Sequence, residues 1–411
     1  MYTLGIAIYA FMARLIAPFH KKAKLMTSGQ RKAFDILRKQ RVPGAEYIWF
    51  HAASLGEFEQ GRPLIEELRL RHPQYKILLT FFSPSGYEVR KNYDGADIVC
   101  YLPFDLPLNV SRFLNLIQPK MTIFIKYEFW MNYLTACKKR NIPTYIISAV
   151  FRHNQIFFRW YGRYYRRVLN TYEWLFVQDQ SSLDILNHYN IKNASISGDT
   201  RFDRVYNIFE KKKTIPIAEY FTNNKKENGI VMVAGSSWPK DEDIFINYFN
   251  NHPEMKLIIA PHEIHEEHLQ SILSKLKRPT IKFSETTIES IQHADCLIID
   301  CFGLLSSIYR YGDIAYIGGG FGVGIHNVLE AAVYGIPVVF GPNYQKFKEA
   351  RDLIKSEGGF SINGNNEFNT LMDQFISQKE FLKTSGEKAG EYVENNLGAT
   401  EIILDKIKKK L

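Results

Sequence analysis

The chain has 411 residues, of which 45% are hydrophobic and 23% are charged, and its formal net charge at pH 7 is +9. This composition is ordinary for a globular protein with large cores, and the length allows about two to three domains. The positive charge favours acidic partners, such as phosphorylated ligands, anionic lipid or nucleic acid. No CxxC pair occurs, which excludes a disulfide framework and a zinc motif and predicts buried free thiols at Cys100, Cys137, Cys296 and Cys301.

The N-terminus is an apolar run with a basic flank. Residues 1–19 contain a single charged side chain, Arg14, and are followed by His20, Lys21, Lys22 and Lys24. A signal peptide would carry its charge before the apolar run, so this order argues against one. We predict an uncleaved membrane-anchor helix over residues 1–24 with its basic end on the cytoplasmic side, although a span needs roughly 20 apolar residues. An ordinary buried first helix is the alternative.

The chain then alternates between short apolar runs and helix-like stretches. The runs are rich in β-branched or aromatic residues and lack strict alternation, which is typical of strands buried on both faces of a parallel sheet. They cover residues 46–52, 75–82, 97–103, 121–126, 144–150 and 174–179. This alternation predicts a doubly wound α/β domain over residues 25–208.

A polar, charged stretch predicts a linker over residues 209–228, and a second alternating series follows it. Its predicted strands are 229–235, 255–261, 280–284, 295–300, 313–320 and 336–342, which indicate a second domain over residues 229–385. Residues 386–411 are predicted to be a helix with a basic end. The predicted fold class is α/β, with two Rossmann-like doubly wound domains facing each other across a cleft and the anchor helix in front, as in GT-B-type glycosyltransferases or their relatives.

Open α/β sheets bind ligands at the carboxyl ends of their strands, so polar residues there are candidates for chemistry. After the first strand, HAASLGE (residues 51–57) places Glu57 in the first turn of a helix that we expect to begin near it. This carboxylate could be a catalytic base, or it could only stabilise the helix dipole by less than about 1 kcal/mol. Glu59 would serve the second role equally well.

Two further strand ends carry polar residues. VAGSSWPKDED (233–243) offers backbone N–H groups and hydroxyls at Gly235, Ser236 and Ser237 that suit a phosphate, and a plain serine N-cap is the alternative. APHEIHEEH (260–268) has histidines three residues apart, whereas the zinc motif HExxH needs them four apart, so we reject a metal there. His262 could face the cleft, and we expect His265 and His268 to be solvated helix residues.

The stretch YIGGGFGVGIHNVLEAAVYGIPVVFGP (316–342) runs from a predicted strand into a glycine-rich loop. The dinucleotide fingerprint GxGxxG fails, because Val323 or Ile325 stands where the third glycine belongs. What remains is a loop that lets backbone approach a phosphate closely, with Glu330 available for a ribose hydroxyl. A purely structural glycine turn is the alternative.

A basic and aromatic stretch, FRHNQIFFRWYGRYYRRV (151–168), contains Arg152, Arg159, Arg163, Arg166 and Arg167. Its aromatic rings could stack on bases while its arginines bind nucleic acid phosphates. It could instead be a membrane-interface helix or a pocket for a phosphorylated lipid. The remaining alternative is a solvated basic helix with an aromatic core face. The apolar N-terminus favours lipid over nucleic acid.

Together these motifs resemble the 3-deoxy-D-manno-octulosonic acid (Kdo) transferase family of lipopolysaccharide biosynthesis. HAASLGEFEQGRPLI is similar to the family signature HA(V/A)S(V/L)GE. The other matching motifs follow in the family's order over roughly residues 45–345, namely PFDLP (103–107), YEFW (127–130), GDTRFD (198–203), AGSSW (234–238) and the glycine-rich stretch.

The resemblance implies a GT-B fold and an inverting glycosyltransferase that moves Kdo from CMP-Kdo to the 6′-hydroxyl of a tetraacyl, bisphosphorylated lipid A precursor. It implies that Glu57 is the catalytic base. The implied donor-binding residues are Gly235, Ser236, Ser237, His262, Gly318, Gly319, Gly320, Asn327 and Glu330. The implied acceptor-binding residues are Ser54, Gly56, Glu128, Arg152 and Arg201. His262 stands where the family usually has an arginine.

The implied partners are a CMP-sugar donor, a phosphorylated lipid A precursor and an anionic membrane surface, and not nucleic acid. The implied location is the cytoplasmic face of the bacterial inner membrane. CMP has no diphosphate to chelate and the sequence shows no acidic cluster, so we expect neither a metal nor a cofactor.

Overall fold

The computed structural model describes residues 1–211, 213–225 and 229–411, which form two compact units. The first unit comprises Met1–Asp203 and Leu397–Leu411, and the second comprises Arg204–Asn396. The chain therefore passes between the units twice, and the predicted C-terminal segment 386–411 is divided between them. The predicted linker 209–228 contains a helix, Pro216–Asn223, while its residues 212 and 226–228 lie outside the described residues.

The first unit contains a parallel sheet of seven strands in the order β3-β2-β1-β4-β5-β6-β7. The six predicted strands are confirmed. β7 was not predicted, because it has only three residues and none of them is buried. The strands are β1 (Tyr47–Ala52), β2 (Lys76–Phe81), β3 (Ile98–Tyr101), β4 (Met121–Ile125), β5 (Thr144–Ala149), β6 (Trp174–Val177) and β7 (Ala194–Ile196).

The second unit contains another parallel sheet of seven strands, in the order β10-β11-β9-β8-β12-β13-β14. Its six predicted strands are also confirmed, and the edge strand β14, with three residues, was missed. The strands are β8 (Ile230–Ser237), β9 (Met255–Pro261), β10 (Thr280–Lys282), β11 (Cys296–Ile298), β12 (Ile314–Ile317), β13 (Val338–Phe340) and β14 (Gly359–Ser361).

Helices connect the strands, so that each sheet is built from parallel strand–helix–strand crossovers. Along the first sheet they are α1 (Tyr2–Ile16), α2 (Lys21–Gln40), α3 (Leu55–Arg71), α4 (Pro84–Arg90), α5 (Pro107–Ile117), α6 (Met131–Lys139), α7 (Arg163–Arg166) and α8 (Gln180–His188). Then follow α9 (Thr200–Glu210), α10 (Pro216–Asn223), α11 (Pro239–Asn251), α12 (Glu266–Lys275), α13 (Ile288–Ile291), α14 (Leu305–Ile308) and α15 (Leu329–Ala332). The last are α16 (Lys348–Lys355), α17 (Asn365–Ser377), α18 (Lys379–Glu394) and α19 (Ala399–Ile407).

Each sheet has a switch point, where two neighbouring strands connect onward to opposite sides of the sheet. It lies between β1 and β4 in the first unit and between β8 and β12 in the second. The carboxyl ends of two such strands diverge into loops and leave a crevice, which is where open α/β sheets bind ligands. The predicted pair of Rossmann-like domains is thus confirmed as two doubly wound units.

The predicted anchor helix over residues 1–24 is wrong as a single helix. α1 ends at Ile16, α2 begins at Lys21, and the two are bent by 118°. Pro18 has no N–H to continue the first helix, and His20 caps the second by accepting a hydrogen bond from Ala23 N–H at 3.3 Å. In the part of the chain that the structure describes, no single helix is long and apolar enough to cross a membrane, and α1 with α2 meets that test only as a bent pair.

The basic stretch 151–168 is not a long helix either. It folds into short 3-10 turns and the single-turn helix α7. Phe157 and Phe158 are both buried in the same hydrophobic core. Arg166 holds the segment together, because its Nε–H donates to Phe157 O at 2.8 Å and its guanidinium lies 4.1 Å from the Tyr189 ring centroid.

Strand β1 is packed from both sides, which explains the apolar run from Tyr47 to Phe50. Tyr47 and Trp49 face one core, and Ile48 and Phe50 face the core on the opposite side of the sheet. The Trp49 ring lies 4.7 Å from that of Phe113, and its Nε1–H donates to Thr80 Oγ1 at 2.8 Å.

The prediction of buried free thiols is confirmed at Cys100, Cys137 and Cys296, whereas Cys301 is only half-buried.

Replacing Trp49 with alanine should lower the free energy of unfolding by about 3 to 5 kcal/mol, because the change leaves a cavity in the core. Chemical denaturation followed by circular dichroism measures this difference. Trp160→Ala is the matched control, because the same side chain is 91% exposed there. It should change the free energy of unfolding by less than about 0.5 kcal/mol. Equal losses in the two variants would contradict the packing of β1.

Candidate functional site

Glu57 lies next to the carboxyl end of β1, beside the first switch point. β1 ends at Ala52, and α3 begins at Leu55 with Ser54 as its N-cap. Glu57 is the third residue of the helix, and its Oε2 accepts hydrogen bonds from Ser54 N–H at 2.9 Å and Ser54 Oγ–H at 3.2 Å. The helix therefore begins two residues earlier than expected, and Glu57 does cap it.

This capping leaves one carboxylate oxygen of Glu57 available. Among the described residues, nothing donates a hydrogen bond to Oε1. Burial of the side chain raises the pKa of Glu57 above its ordinary value, and the negative charge of Glu128 raises it further. The Ser54 hydrogen bond and the charges of His51 and Lys126 lower it to a smaller extent. A half-buried carboxylate with a raised pKa and one available oxygen is suited to accept a proton.

His51 and Glu128 form a buried pair at the ends of β1 and β4. His51 Nε2 lies 2.9 Å from Glu128 Oε2, which also accepts a hydrogen bond from Trp130 Nε1–H. On its other side, His51 Nδ1 lies 2.9 Å from Thr80 Oγ1. Glu128 is only 6% exposed, so the residue predicted to bind the acceptor has its carboxylate turned towards His51 and Trp130. Its charge nevertheless acts on Glu57.

The other residues implied in acceptor binding differ in their exposure and in their contacts. Gly56 is exposed on the first turn of α3, and a Cβ there would contact nothing within 4 Å. Arg152 is exposed, whereas Arg201 is half-buried and its NH2 group lies 2.7 Å from Asp199 Oδ2. Glu59, for which we expected a structural role, pairs with Arg90 at 2.8 Å.

The second switch point has two serines at the end of β8. Ser236 has a φ of 53°, and the pairing with β9 shifts register between Gly235 and Ser237. Ser237 is buried and donates to Glu242 Oε1 at 3.0 Å, so its hydroxyl points into the core. In the described ranges the Ser236 hydroxyl has no hydrogen-bond partner. The N-cap of α11 is Trp238, not a serine, so the serine-cap alternative is wrong.

Two acids that the sequence analysis did not single out hold this edge together. Asp241 is buried and accepts hydrogen bonds from Gly319 N–H and Tyr316 OH, each at 2.9 Å. Glu242 is buried against His268, with 3.0 Å between Oε1 and Nε2. The prediction that His268 is solvated is therefore wrong. It missed this contact because the partner, Glu242, lies 26 residues away in the chain. The signal available in the sequence was a pair of acids in the first turn after a proline, a pattern typical of a helix start.

Three aromatic rings meet at the same edge. The rings of Trp238 and His262 are 4.6 Å apart with an interplanar angle of 27°, and those of His262 and His326 are 4.5 Å apart at 30°. Trp238 Nε1–H donates to His326 Nε2 at 3.3 Å, so His326 is neutral with its proton on Nδ1. Burial, together with the neighbouring His262, lowers the pKa of His326 to about 4. His262 is exposed and covers this pair of rings.

The glycine-rich loop packs tightly against the ends of β8 and β12. Gly319 has a φ of 92°, and a Cβ at Gly318 would lie 2.2 Å from Ser236 O. A Cβ at Gly320 would lie 2.5 Å from Gly341 Cα. These close contacts are sufficient to require glycine at Gly318 and Gly320. The alternative of a purely structural glycine turn therefore explains both positions. Beside the loop lies a cavity of about 370 Å³, lined by Trp238, Pro239, Lys240, Asp241, Gly319, Phe321, Gly322 and Val323.

Glu330 and Asn327 follow the loop at the start of α15. Glu330 Oε1 accepts a hydrogen bond from Asn327 Nδ2–H at 3.0 Å, and its Oε2 accepts one from Ser306 Oγ–H. Asn327 Oδ1 in turn accepts from Leu329 N–H at 3.2 Å. A carboxylate accepts about four hydrogen bonds, so Glu330 can still accept from a ligand hydroxyl. Across residues 1–211, 213–225 and 229–411, no three His, Cys, Asp or Glu side chains are grouped so that they could hold a metal ion.

Sequence comparison finds relatives for most of the chain. Residues 22–204 match the family model described as 3-deoxy-D-manno-octulosonic-acid transferase (kdotransferase). The chain is 29% identical to the 3-deoxy-D-manno-octulosonic acid transferase of Aquifex aeolicus over 358 residues, or 84% of this chain and 92% of that protein. It is 26% identical to the enzyme of the same name from Haemophilus influenzae over 384 residues, or 90% and 88% of the two chains.

Solved structures resemble the chain in fold. The UDP-GlcNAc 2-epimerase of Neisseria meningitidis matches with a TM-score of 0.61 and 16% identity, covering 88% of this chain and 100% of that one. MurG of Acinetobacter baumannii matches with a TM-score of 0.54 and 11% identity, covering 89% and 99%. At these identities the likeness shows the fold alone, which is the GT-B-like pairing of two Rossmann-like units.

The low pKa of His326 predicts a specific pH dependence of stability. Between pH 6.5 and about 4, His326 is protonated in the unfolded chain but stays neutral in the folded chain. The free energy of unfolding should therefore fall as the pH falls through that window. His326→Gln removes the titrating group but keeps an acceptor for Trp238. Denaturant titrations at a series of pH values should show a smaller loss for this variant. A loss equal to that of the wild type would contradict the half-buried, neutral state of His326.

Proposed function

Since the chain carries the domain of the Kdo transferase family and resembles members of that family over most of its length, we propose that it transfers Kdo from CMP-Kdo to the 6′-hydroxyl of a tetraacyl, phosphorylated lipid A precursor. The observation that carries this proposal is the state of Glu57. Its carboxylate lies at the switch point of the matched unit, is positioned by its own helix cap, and keeps one oxygen available.

The proposed reaction is an inverting, single displacement. Glu57 accepts the proton of the acceptor hydroxyl while that oxygen attacks the anomeric carbon of Kdo. The bond from this carbon to the phosphate oxygen of CMP breaks, and CMP leaves with the electron pair. A general base contributes about 10² to 10⁴ in rate, and the raised pKa of Glu57 makes it a stronger base than an ordinary glutamate.

The second unit would hold the CMP moiety. Ser236 and the backbone of the glycine-rich loop offer hydrogen-bond donors to the single phosphate, and Lys240 adds a cation at the adjoining cavity. Glu330 would accept hydrogen bonds from the ribose hydroxyls. His262 supplies an exposed ring where the family usually has a guanidinium. The proposal includes no metal and no cofactor.

The proposed location is the cytoplasmic face of the bacterial inner membrane. The exposed apolar residues in and directly after α1 would enter the interface, and the lysines at the start of α2 would approach anionic headgroups. These residues are Leu4, Ile8, Phe11, Leu15, Ile16 and Phe19, followed by Lys21, Lys22 and Lys24. This mode of attachment requires no membrane-spanning helix, and it makes lipid, not nucleic acid, the partner of the basic surface.

Glu57→Gln should lower kcat for Kdo transfer by at least about 100-fold at saturating donor and acceptor, because an amide cannot accept the proton. Glutamine at the third helical position still accepts the N-cap hydrogen bond, so the free energy of unfolding should change little. A transfer assay with CMP-Kdo and the lipid A precursor measures the first quantity, and chemical denaturation measures the second.

Glu59→Gln is the matched control, since it makes the same change two residues further on, at a carboxylate that pairs with Arg90. It should keep a kcat close to that of the wild type. If Glu57→Gln kept more than about a tenth of the wild-type kcat, Glu57 would not be the base.

A further inference from the structure

A polar cavity of about 220 Å³ lies in the first unit between α1, α2 and α5. Its lining on α2 has helical spacing, so these residues share one face of the helix. They are Thr27, Gln30, Arg31 and Phe34. Arg14 from α1, Asn109 and Arg112 from α5, and the preceding Pro103 and Phe104 complete the wall. None of these residues has a role in the transfer reaction proposed above.

The cavity is lined by three guanidinium groups and no carboxylate. They belong to Arg14, Arg31 and Arg112. Within the described part of the chain, none of the three forms an ion pair or a side-chain hydrogen bond. The Arg112 guanidinium lies 4.3 Å from the centroid of the Phe34 ring, which orients it without using its N–H groups. The wall therefore keeps its strong donors free for an anion.

Gln30 is an independent sign of a ligand. It is 6% exposed, and in the described structure neither Nε2 nor Oε1 has a hydrogen-bond partner. A buried amide without partners is costly, so it calls for an explanation. Its buried neighbour Thr27 is different, because the Thr27 hydroxyl donates to Ala23 O at 2.8 Å. A ligand in the cavity that bonds to the Gln30 amide would remove this cost.

We propose that the cavity binds a phosphomonoester anion. Its oxygens accept hydrogen bonds from the arginines and from Gln30 Nε2–H, and the protonated oxygen of the monoanion can donate to Gln30 Oε1. Guanidinium groups bind phosphate oxygens in a bidentate manner, and a phosphomonoester carries about −1.5 to −2 charges at pH 7, which suits three cations better than a carboxylate does. The phosphate could be a free ion or the headgroup of a lipid, and both share this chemistry.

Isothermal titration calorimetry of the full chain with inorganic phosphate tests the site. Arg31→Ala and Arg112→Ala should each weaken binding by about tenfold or more. Gln30→Met should also weaken it, yet leave the free energy of unfolding unchanged or higher, because it replaces an unpaired amide with an apolar chain of similar size. Lys32→Ala is the charge control, since Lys32 is exposed, follows Arg31 on the same helix and does not line the cavity. It should leave binding unchanged.

A flotation assay identifies the source of the phosphate. It compares phosphatidylcholine vesicles that contain phosphatidic acid, a phosphomonoester, with vesicles that contain phosphatidylglycerol, a diester. A preference for phosphatidic acid that Gln30→Met and Arg31→Ala remove assigns the site to a lipid headgroup. Phosphate binding that these variants weaken, without a vesicle preference, assigns it to the free ion.

The proposal is overturned if the variants leave phosphate binding unchanged. It is also overturned if the wild type binds no phosphate and does not prefer phosphatidic acid. Kdo transfer is not a readout in either arm, so a failure of this site leaves the proposed reaction untouched, and a failure of the reaction leaves the site untouched.

Discussion

The burial of both faces of two parallel sheets determines where chemistry can take place in this chain. β1 and β9 are buried at every position, so their side chains are committed to packing. Polar groups can reach a ligand only where the strands end, and the crevice is widest where the strand order reverses. Glu57 lies at such a point in the first unit, and Ser236 and the glycine-rich loop lie at the other. The locations of Glu57, Ser236 and the glycine-rich loop all follow from this constraint.

At Glu57, the structural and the catalytic interpretations support each other. One carboxylate oxygen caps α3, which fixes the direction of the side chain without help from a distant residue. The other oxygen stays available, in a setting where burial and Glu128 make the carboxylate more basic. Glu128 itself is held by His51 and Trp130, so a buried network at the ends of β1 and β4 sets the charge that Glu57 experiences. A base that is positioned by its own helix costs the fold little to maintain.

The features that the sequence predicted well are those encoded by neighbouring residues. The long apolar runs identified the central strands, and HAASLGE located Glu57 at a strand-to-helix turn. The three-residue edge strands β7 and β14 carried too few apolar residues to be recognised. The bend after α1 could have been read from Pro18, but the apolar composition of the run outweighed it in the prediction. The aromatic residues of 151–168 suggested a helix, whereas the segment folds into 3-10 turns and the single-turn helix α7.

Pairings between distant residues were not predictable. His268 was expected to be solvated because nothing local indicated Glu242, and Ser237 was expected to face a ligand although it donates to the same carboxylate. The stacking of Trp238, His262 and His326 joins the ends of separate strands, as does the Asp241 bond to Gly319. Such contacts depend on the sheet order, which a single sequence does not specify.

We propose that the chain is a Kdo transferase that uses a CMP-activated donor and a lipid acceptor. Mass spectrometry of the lipid, after incubation of the purified chain with CMP-Kdo and a tetraacyl lipid A precursor, tests it most directly. We expect an acceptor that is heavier by one or more Kdo residues. An unmodified lipid in the presence of CMP-Kdo, or a lipid that gains sugar only from a UDP-activated donor, would contradict it.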